Sequence, residues 1–281
     1  GATPSISQAT ELYTETLICT GTYQCYLGGA WSTGGNLITA RRDHTGFGTQ
    51  NAAVAATGYT STRVSCTEEY NGTSWTAGGN AINVRSGAGR AGVLDAGLIF
   101  GGITPSNISC TEEYNGSSWS TGGGLITPGG RPGSGTQNAG LAVYGNCATP
   151  STSQTTAVEE YNGTSWTTVT TGNCARKGHQ VTGTQNAGLA FGGGVGAYGG
   201  TRLACTEEYN GTSWTTVNNM NVARGLLGGG GIQDSSNAHG GVSPTRVSCA
   251  EIYDGITWSG VQSMNNAVQQ VCGVGASSGA A

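Results

Sequence analysis

The chain has 281 residues, 52 of them Gly, and charged residues make up 9 % of it, against roughly 25 % in an average soluble protein. Its net charge is −4, it has one Lys (Lys177), and Pro is scarce at 6. This composition excludes collagen, a charge-driven disordered tail, nucleic-acid binding through a basic surface, and a membrane-spanning helix, which needs an apolar run of ~20 residues. A Gly-, Ser-, Thr- and Asn-rich chain of this kind is expected to be all-β.

Residues 3–13, TPSISQATELY, match TPSNISCTEEY at 104–114 in length and pattern. Tyr13 is therefore the Tyr of a repeat whose Trp is Trp31, with a 13-residue insertion, roughly 14–26, between them. Cys19 and Cys25 lie in that insertion, symmetric about Thr22, and are candidates for a disulfide. Leu17, Ile18, Tyr23 and Tyr26 make the insertion more apolar than a free surface hairpin, which suggests docking on a neighbouring subunit or on its own blade.

The six Trp residues, Trp31, Trp75, Trp119, Trp166, Trp214 and Trp258, are spaced by 44, 44, 47, 48 and 44. A fixed period of this size marks a repeat architecture. The phrase around the Trp reads TEEYNGTSWT at 67–76 and 206–215, TEEYNGSSWS at 111–120, VEEYNGTSWT at 158–167 and AEIYDGITWS at 250–259. Asn-Gly or Asp-Gly between strand-forming residues predicts a hairpin with a two-residue turn, both turn residues at positive φ. A second phrase precedes each Tyr: GTQNAAVAATG at 48–58, GVLDAGLIFGG at 92–102, GTQNAGLAVYG at 135–145, GTQNAGLAFGG at 183–193 and GIQDSSNAHGG at 231–241. Its apolar centre predicts a buried strand closed by a Gly doublet. Arg41, Arg85, Arg176 and Arg224 each follow a Trp by ten residues, and Arg131 follows Trp119 by twelve.

Each unit thus carries four short strands, and a four-stranded unit repeated at this period is a propeller blade. Residues 1–281 are expected to form a single six-bladed domain. The C-terminus would supply the inner strands of the sixth blade and the N-terminus its outer hairpin, which leaves no open inner edge.

The Gly doublet, the Glu-x-Tyr, the Trp and the downstream Met and Arg together resemble kelch repeats. EEYNGTSWTTVNNMNVAR at 207–224 is the closest copy. The wording is also similar to kelch-like proteins of marine bacteriophages. This resemblance covers essentially the whole chain and implies the propeller fold. It also implies that the loops between the Gly doublet and the Tyr strand, with the connectors between blades, form one partner-binding face.

Cys66, Cys110, Cys205 and Cys249, each four before a repeat Tyr, are read as small buried strand residues. Cys147 and Cys174 are a second candidate pair, and Cys272 is left over. No CxxC or Cys/His cluster has zinc spacing, and no metal or cofactor is expected. His44 and His179, three after a repeat Arg, are read as structural. The first Glu of each Glu-Glu pair is expected to meet blade polar groups and the second, Glu69, Glu113, Glu160 or Glu208, to be solvated. The resemblance to kelch-like blades implies that the repeat Arg residues bond between blades rather than line an anion site; Val268 stands where the sixth Arg would be. No catalytic residues are assigned. Tyr59, Arg63, Tyr198, Arg202 and Arg246 are the binding candidates of the loop face, since Tyr and Arg are favoured at interfaces.

The resemblance to kelch-like proteins of bacteriophages implies a non-enzymatic structural or binding module of a virion surface, a tail fibre or appendage that takes part in host recognition, and the composition permits it. Its partners would be other virion or surface-assembly proteins and a host-surface glycan or protein, with no nucleic acid and no membrane insertion. It is expected to work within an oligomeric assembly. A secreted bacterial adhesion or glycan-binding propeller is the alternative, and a kelch-type oxidase or carbohydrate-active enzyme the second. A chain that opens on Gly1 without a signal peptide is expected to be processed or to be a segment of a longer one.

Overall fold

The structure, a computed structural model, describes residues 10–20, 24–146, 154–196, 200–270 and 272–273, with backbone alone for 15–20, 24–29 and 146. Among the described residues there is no helix. The first two strands, β1 (Glu11–Thr20) and β2 (Gln24–Thr33), form a hairpin. Blade one is β3 (Thr45–Thr49), β4 (Ala52–Ala56), β5 (Thr67–Tyr70) and β6 (Trp75–Ala77). Blade two is β7 (Gly89–Val93), β8 (Ala96–Phe100), β11 (Thr111–Tyr114) and β12 (Trp119–Gly122), with a small ribbon of β9 (Ile103–Thr104) and β10 (Ser106–Asn107) in its loop. Blade three is β13 (Gly133–Thr136), β14 (Ala139–Asn146), β15 (Gln154–Tyr161) and β16 (Trp166–Thr171). Blade four is β17 (Gln180–Gly183), β18 (Gly188–Phe191), β19 (Thr206–Tyr209) and β20 (Trp214–Val217). Blade five is β21 (Gly228–Ile232), β22 (Ser235–His239), β23 (Ala250–Tyr253) and β24 (Trp258–Val261).

The protein is a β-propeller of four-stranded antiparallel blades, five of them complete among the described residues. Within each blade the strands run in chain order, and the repeat Tyr faces the repeat Trp across the outer hairpin, as in Tyr70↔Trp75 and Tyr253↔Trp258. The inner strands stand side by side as β3, β7, β13, β17 and β21.

The core lies between blades. Phe47 and Val54 of blade one pack on Ile99 and Trp119 of blade two. Leu98 and Phe100 then meet Ala142 and Trp166, and Leu189 and Phe191 of blade four meet Ala238 and Trp258 of blade five. A single blade has too little apolar surface to bury alone, and stacking supplies the missing face.

The outer turns differ from expectation. They have four residues rather than two, and of the Asn-Gly pair only the Gly is at positive φ, for example Gly72 at 91°. Asn71 works through its side chain: its Oδ1 accepts from the N–H of Thr73 (3.0 Å) and of Ser74 (2.9 Å). Asx turns of this kind use the short amide as a cap for backbone donors. Asp254 repeats the arrangement with Ile256 and Thr257, and those N–H bonds hold its carboxyl below the usual value. The inner turns need Gly for a different reason. Gly92, at φ 92°, has the Ala96 carbonyl where a Cβ would stand, and Gly48, Gly135, Gly183 and Gly231 repeat this.

Three polar contacts recur between blades. Gln137, Gln185 and Gln233 each donate to two carbonyls of the preceding blade, as Gln137 does to Gly97 (3.0 Å) and Tyr114 (2.9 Å). The hydroxyls of Tyr114, Tyr161, Tyr209 and Tyr253 donate to Glu69, Glu113, Glu160 and Glu208. The second Glu of each pair is therefore an inter-blade acceptor, not a solvated residue. Burial, then the Glu itself, raises each of these phenols above its ordinary pKa, Tyr161 to about 12. Thirdly, the indole N–H of Trp119, Trp166 and Trp258 donates to the hydroxyl of Thr67, Thr111 and Thr206, at 3.1, 2.9 and 3.0 Å.

The exception is Trp214, whose buried Nε1 has no partner. The position that holds Thr in those three blades holds Val158 in blade three, and Val has no hydroxyl to offer. Val158→Thr is expected to raise stability by about 1 kcal/mol, since it satisfies a buried donor with a side chain of nearly the same shape. Urea unfolding of the variant checks this, and an unchanged midpoint refutes it.

The hairpin β1–β2 stands between blades five and one. Trp75 donates to Thr10 Oγ1 (3.2 Å), Gln50 to the Tyr13 carbonyl (3.0 Å), and Trp31 to the Gln262 carbonyl (3.0 Å). Glu11 accepts from the Asn265 N–H and Asn266 Nδ2, both at 2.9 Å. These repeat the contacts of the regular blades. Beyond Tyr13↔Trp31, where other blades turn, the ladder runs on for seven pairs to Thr20↔Gln24. It sets Cys19 opposite Cys25 in the backbone register. The side chains of that pair lie outside the described residues, as do Tyr198, Cys147 and most of the C-terminal segment. Cys272 Sγ lies 3.0 Å from the Gly46 nitrogen of β3, and Gly273 packs on Gly229 of β21, so this point of the chain reaches both neighbouring inner strands.

Candidate functional site: the loop face

The repeated ionic residues come first, because they set what is left for function. Arg41, Arg85, Arg131, Arg176 and Arg224 are all essentially inaccessible. Each forms an ion pair with the first Glu of its own blade: Glu68, Glu112, Glu159, Glu207 and Glu251 respectively. The same Arg side chains bond carbonyls in or beside their own second and third strands, as Arg41 does with Ala55 of β4 and with Cys66 just before β5. They fasten a connector to its blade rather than one blade to the next, which corrects the inter-blade expectation. Four of the five Glu also accept two connector N–H groups, such as those of Ile38 (2.6 Å) and Thr39 (3.0 Å) on Glu68.

The repeat cysteines are not buried strand residues either. Cys66, Cys110, Cys205 and Cys249 precede their strands and are half-buried free thiols. The Sγ of Cys66, Cys205 and Cys249 each lies 2.6 Å from the guanidinium of its blade's Arg.

At the axis stands Arg90, an Arg outside the repeat. From β7 it donates across the ring to Gln180 Oε1 (3.1 Å) and to the carbonyls of Gly229 (3.3 Å) and Gly273 (3.0 Å). It lines a small axial cavity of about 120 Å³ with the Gly-rich inner strands, including Gly92, Gly183 and Gly230. A larger cavity of about 620 Å³ lies inward of β1–β2, between blades five and one. Trp31, His44, Gln50, His239, Met264 and Cys272 line it.

His179 and His239 are buried and His44 is half-buried with its Nδ1 shut off from solvent, and desolvation pushes all three below their ordinary pKa. His44 falls to about 4 and His239 to about 3. The Nδ1–H of His239 donates to Asn237 Oδ1 (2.9 Å), and its ring lies 5.2 Å from that of Trp31. Among the described residues no group of three His, Cys, Asp or Glu is placed to hold a metal.

Antiparallel strand order puts two kinds of loop at each end of every blade. At one end are the two hairpin turns. At the other are the loop between the second and third strands and the connector to the next blade. Gly116 packs on Asp95, and Gly255 on Asp234, which confirms that the two turns of a blade share an end. The loop end holds four of the five candidate residues, and Tyr198 lies outside the described residues. Arg42 bridges backbone to backbone with Tyr59, and Tyr59 with Arg63. The Arg42 guanidinium sits 4.4 Å over the Tyr59 ring and 3.7 Å from Asp43. Tyr59 is half-buried beneath it, an arrangement more like a support than an exposed platform. Asp43 also accepts from Gln270 (2.7 Å). Burial raises its pKa, against the pull of Arg42, Gln270 and Arg63.

On blade four, Lys177 pairs with Gly194 and Gly194 with Arg202. Burial, then the nearby Arg202 charge, lowers the Lys177 pKa. On blade five Arg246 pairs with Val242 and is exposed. Sequence reasoning found Arg63, Arg202 and Arg246 but missed Arg42, Lys177 and Arg90. The signal was available: these are the basic residues left once the repeat Arg are set aside.

The sequence matches no family model and no curated protein.

Proposed function

We propose that this chain is a six-bladed, kelch-like propeller acting as a non-catalytic binding module on the surface of a virion, in a tail fibre or similar appendage. In this reading residues 274–281 supply inner strands beside Cys272 and Gly273, within the cavity inward of β1–β2, and complete a sixth blade. The contacts of Glu11, Trp31 and Gln50 with the flanking blades support it, because they reproduce those of regular blades.

One observation carries the functional part. The residues that could do chemistry in each repeat, the Arg, the one or two Glu, the Tyr and the Trp, are spent on holding strands and blades together. Variation between blades, and the basic residues outside the repeat apart from the axial Arg90, concentrate on the loop face. Loops on a rigid scaffold are the usual carriers of recognition.

Electron microscopy of the native assembly tests both parts. Six sheets around the axis, and a propeller at the periphery of a particle or fibre with its loop face outward, are expected. A five-sheet ring rules out the shared blade. A loop face buried within a capsid wall, or soluble protein with oxidase or glycosidase turnover, rules out the binding role.

A further inference from the structure

The charges of this acidic chain are sorted by face. Five basic residues outside the Arg–Glu pairs, Arg42, Arg63, Lys177, Arg202 and Arg246, lie in the loops and connectors of the loop end, where Asp43 and Glu11 are the acids not engaged by a repeat Arg or a Tyr hydroxyl among the described residues, an excess of 5 − 2 = 3 positive charges. At the turn end are Asp95 and Asp234 in the inner turns and Asp254 in an outer one, and Glu15 lies on the extension of β1 toward the same end. No basic residue lies among those turns. Net charge alone therefore hides a cationic face.

The cations form an arc rather than a ring. They belong to blades four and five and, past the β1–β2 hairpin, to blade one. On blade two Asn107 stands where Arg63, Arg202 and Arg246 stand on theirs, each three residues before the Cys of its blade. Like charges are crowded in pairs, Lys177 with Arg202 and Arg42 with Arg63, the latter pair around one carboxylate. Such crowding costs free energy in the isolated protein, and an anionic ligand relieves it.

We propose that this arc binds an acidic polysaccharide, one with a carboxylate or sulfate on its repeating unit. The inference rests on the binding-module reading above and names its ligand class. Spacing and chemistry favour this polymer. The charge sites sit on different blades, separated by whole sheets that stack roughly 10 Å apart, which suits widely spaced anions. Nucleic acid packs its phosphates far more densely, about one per 1.7 Å of duplex. The loops between the cations are rich in hydroxyls, Thr60, Ser61 and Thr62 on blade one and Ser243 and Thr245 on blade five, which suit sugar hydroxyls. The Tyr of the described arc, Tyr59, lies under Arg42 and offers bases no open stacking face.

The test titrates purified protein with alginate, a carrageenan, neutral dextran and duplex DNA at low and high salt. Binding to alginate, carrageenan or both is expected, weakened by salt, with no binding to dextran. The triple variant Arg63→Gln, Arg202→Gln, Arg246→Gln is expected to lose roughly tenfold in affinity. The corresponding triple Lys variant keeps the charge and is expected to keep most of the binding, and both must match the parent in thermal unfolding. Equal affinity for DNA overturns the ligand class, and acidic-polymer binding indifferent to the Gln variant overturns the site. Salt-sensitive stacking of copies without polymer binding assigns the arc to the acidic turn end of a second chain and overturns the proposal. Binding to intact host cells that survives in the Gln variant overturns this inference alone; failure to bind any polymer or cell removes the binding module as well.

Discussion

Replacing Glu112 with Ala is expected to cost the fold about 3–5 kcal/mol, the loss expected when one partner of a buried ion pair is removed. Glu112 is fully buried and accepts from the Ile82 N–H (2.7 Å), the Asn83 N–H (3.1 Å), Asn83 Nδ2 (2.9 Å) and the Arg85 guanidinium. Its removal strands that guanidinium in a site that already disfavours it. Burial lowers the Arg85 pKa, and Glu112 is the main opposing influence. Two backbone donors lose their acceptor as well. Urea unfolding at neutral pH, followed by Trp fluorescence, measures the effect. The double variant Arg85→Met, Glu112→Leu is expected to recover a large part of it, because no charge is left behind. A loss under about 1 kcal/mol for Glu112→Ala, or strict additivity in the double variant, contradicts the account. Glu11 supplies an internal comparison. It holds the equivalent place in the hairpin, but its partners are Asn265 and Asn266 instead of an Arg, at a half-exposed site. Glu11→Ala is expected to cost about 1 kcal/mol or less.

The repeat residues explain how much of this architecture was legible. Trp, Tyr, Glu and Arg recur at near-constant spacing because each holds the same place in its blade, with Trp214 alone among the complete blades lacking its Thr partner, so period translates directly into sheets. The match of Tyr13 with Tyr114 located the terminal hairpin, and Trp31 and Glu11 make the contacts expected of that position. Three readings went astray where a residue had two ways to serve. The Asn-Gly spelling points to Asn71 tolerating positive φ, yet Asn71 caps donors with its amide. Strand alternation turns Glu69 to the face opposite Glu68, which in an isolated sheet is solvent; on a stacked blade, however, the other face is also an interface. The repeat Arg, taken as inter-blade, closes its own blade, because its connector crosses the ends of the second and third strands that it then bonds.

What spacing could not reveal was Arg90, or the polarity of the ring. Arg90 has no counterpart in other blades, so no periodicity marks it, and its reach across the axis depends on the curvature of the whole assembly. The cationic arc combines residues from connectors and loops separated by up to about 200 positions in the chain, Arg42 to Arg246. In a linear reading these are isolated charges within an acidic total. The strand order brings them to one end.

The desolvated histidines predict an acid-labile propeller. In the folded protein His44, His179 and His239 stay neutral well below the pH at which an exposed imidazole protonates. Burial is the leading cause for all three. The next contributor is a repeat Arg in each case: Arg41 for His44, Arg176 for His179 and Arg224 for His239, with Arg90 acting on His44 and His239 as well. In the unfolded chain all three take up protons near pH 6.5. The unfolded state therefore binds more protons as pH falls, and stability drops from about pH 6.5 down toward the folded values, about 4 for His44 and about 3 for His239. Each histidine contributes a slope of about 1.4 kcal/mol per pH unit, so the three together approach roughly 4 kcal/mol per unit near pH 5. Asp43 acts in the opposite sense: its raised pKa lets the folded state hold a proton that the unfolded chain releases, but only at lower pH and for one group. Urea midpoints measured from pH 7 to pH 4.5 are expected to fall steeply. His179→Gln is expected to remove about a third of the slope, whatever it does to stability at pH 7, because it deletes one of three equivalent proton sites. A midpoint constant across that range, or a variant with the parent's slope, would show that these imidazoles are solvated in the folded protein and that the inner ends of blades one, four and five are open to water.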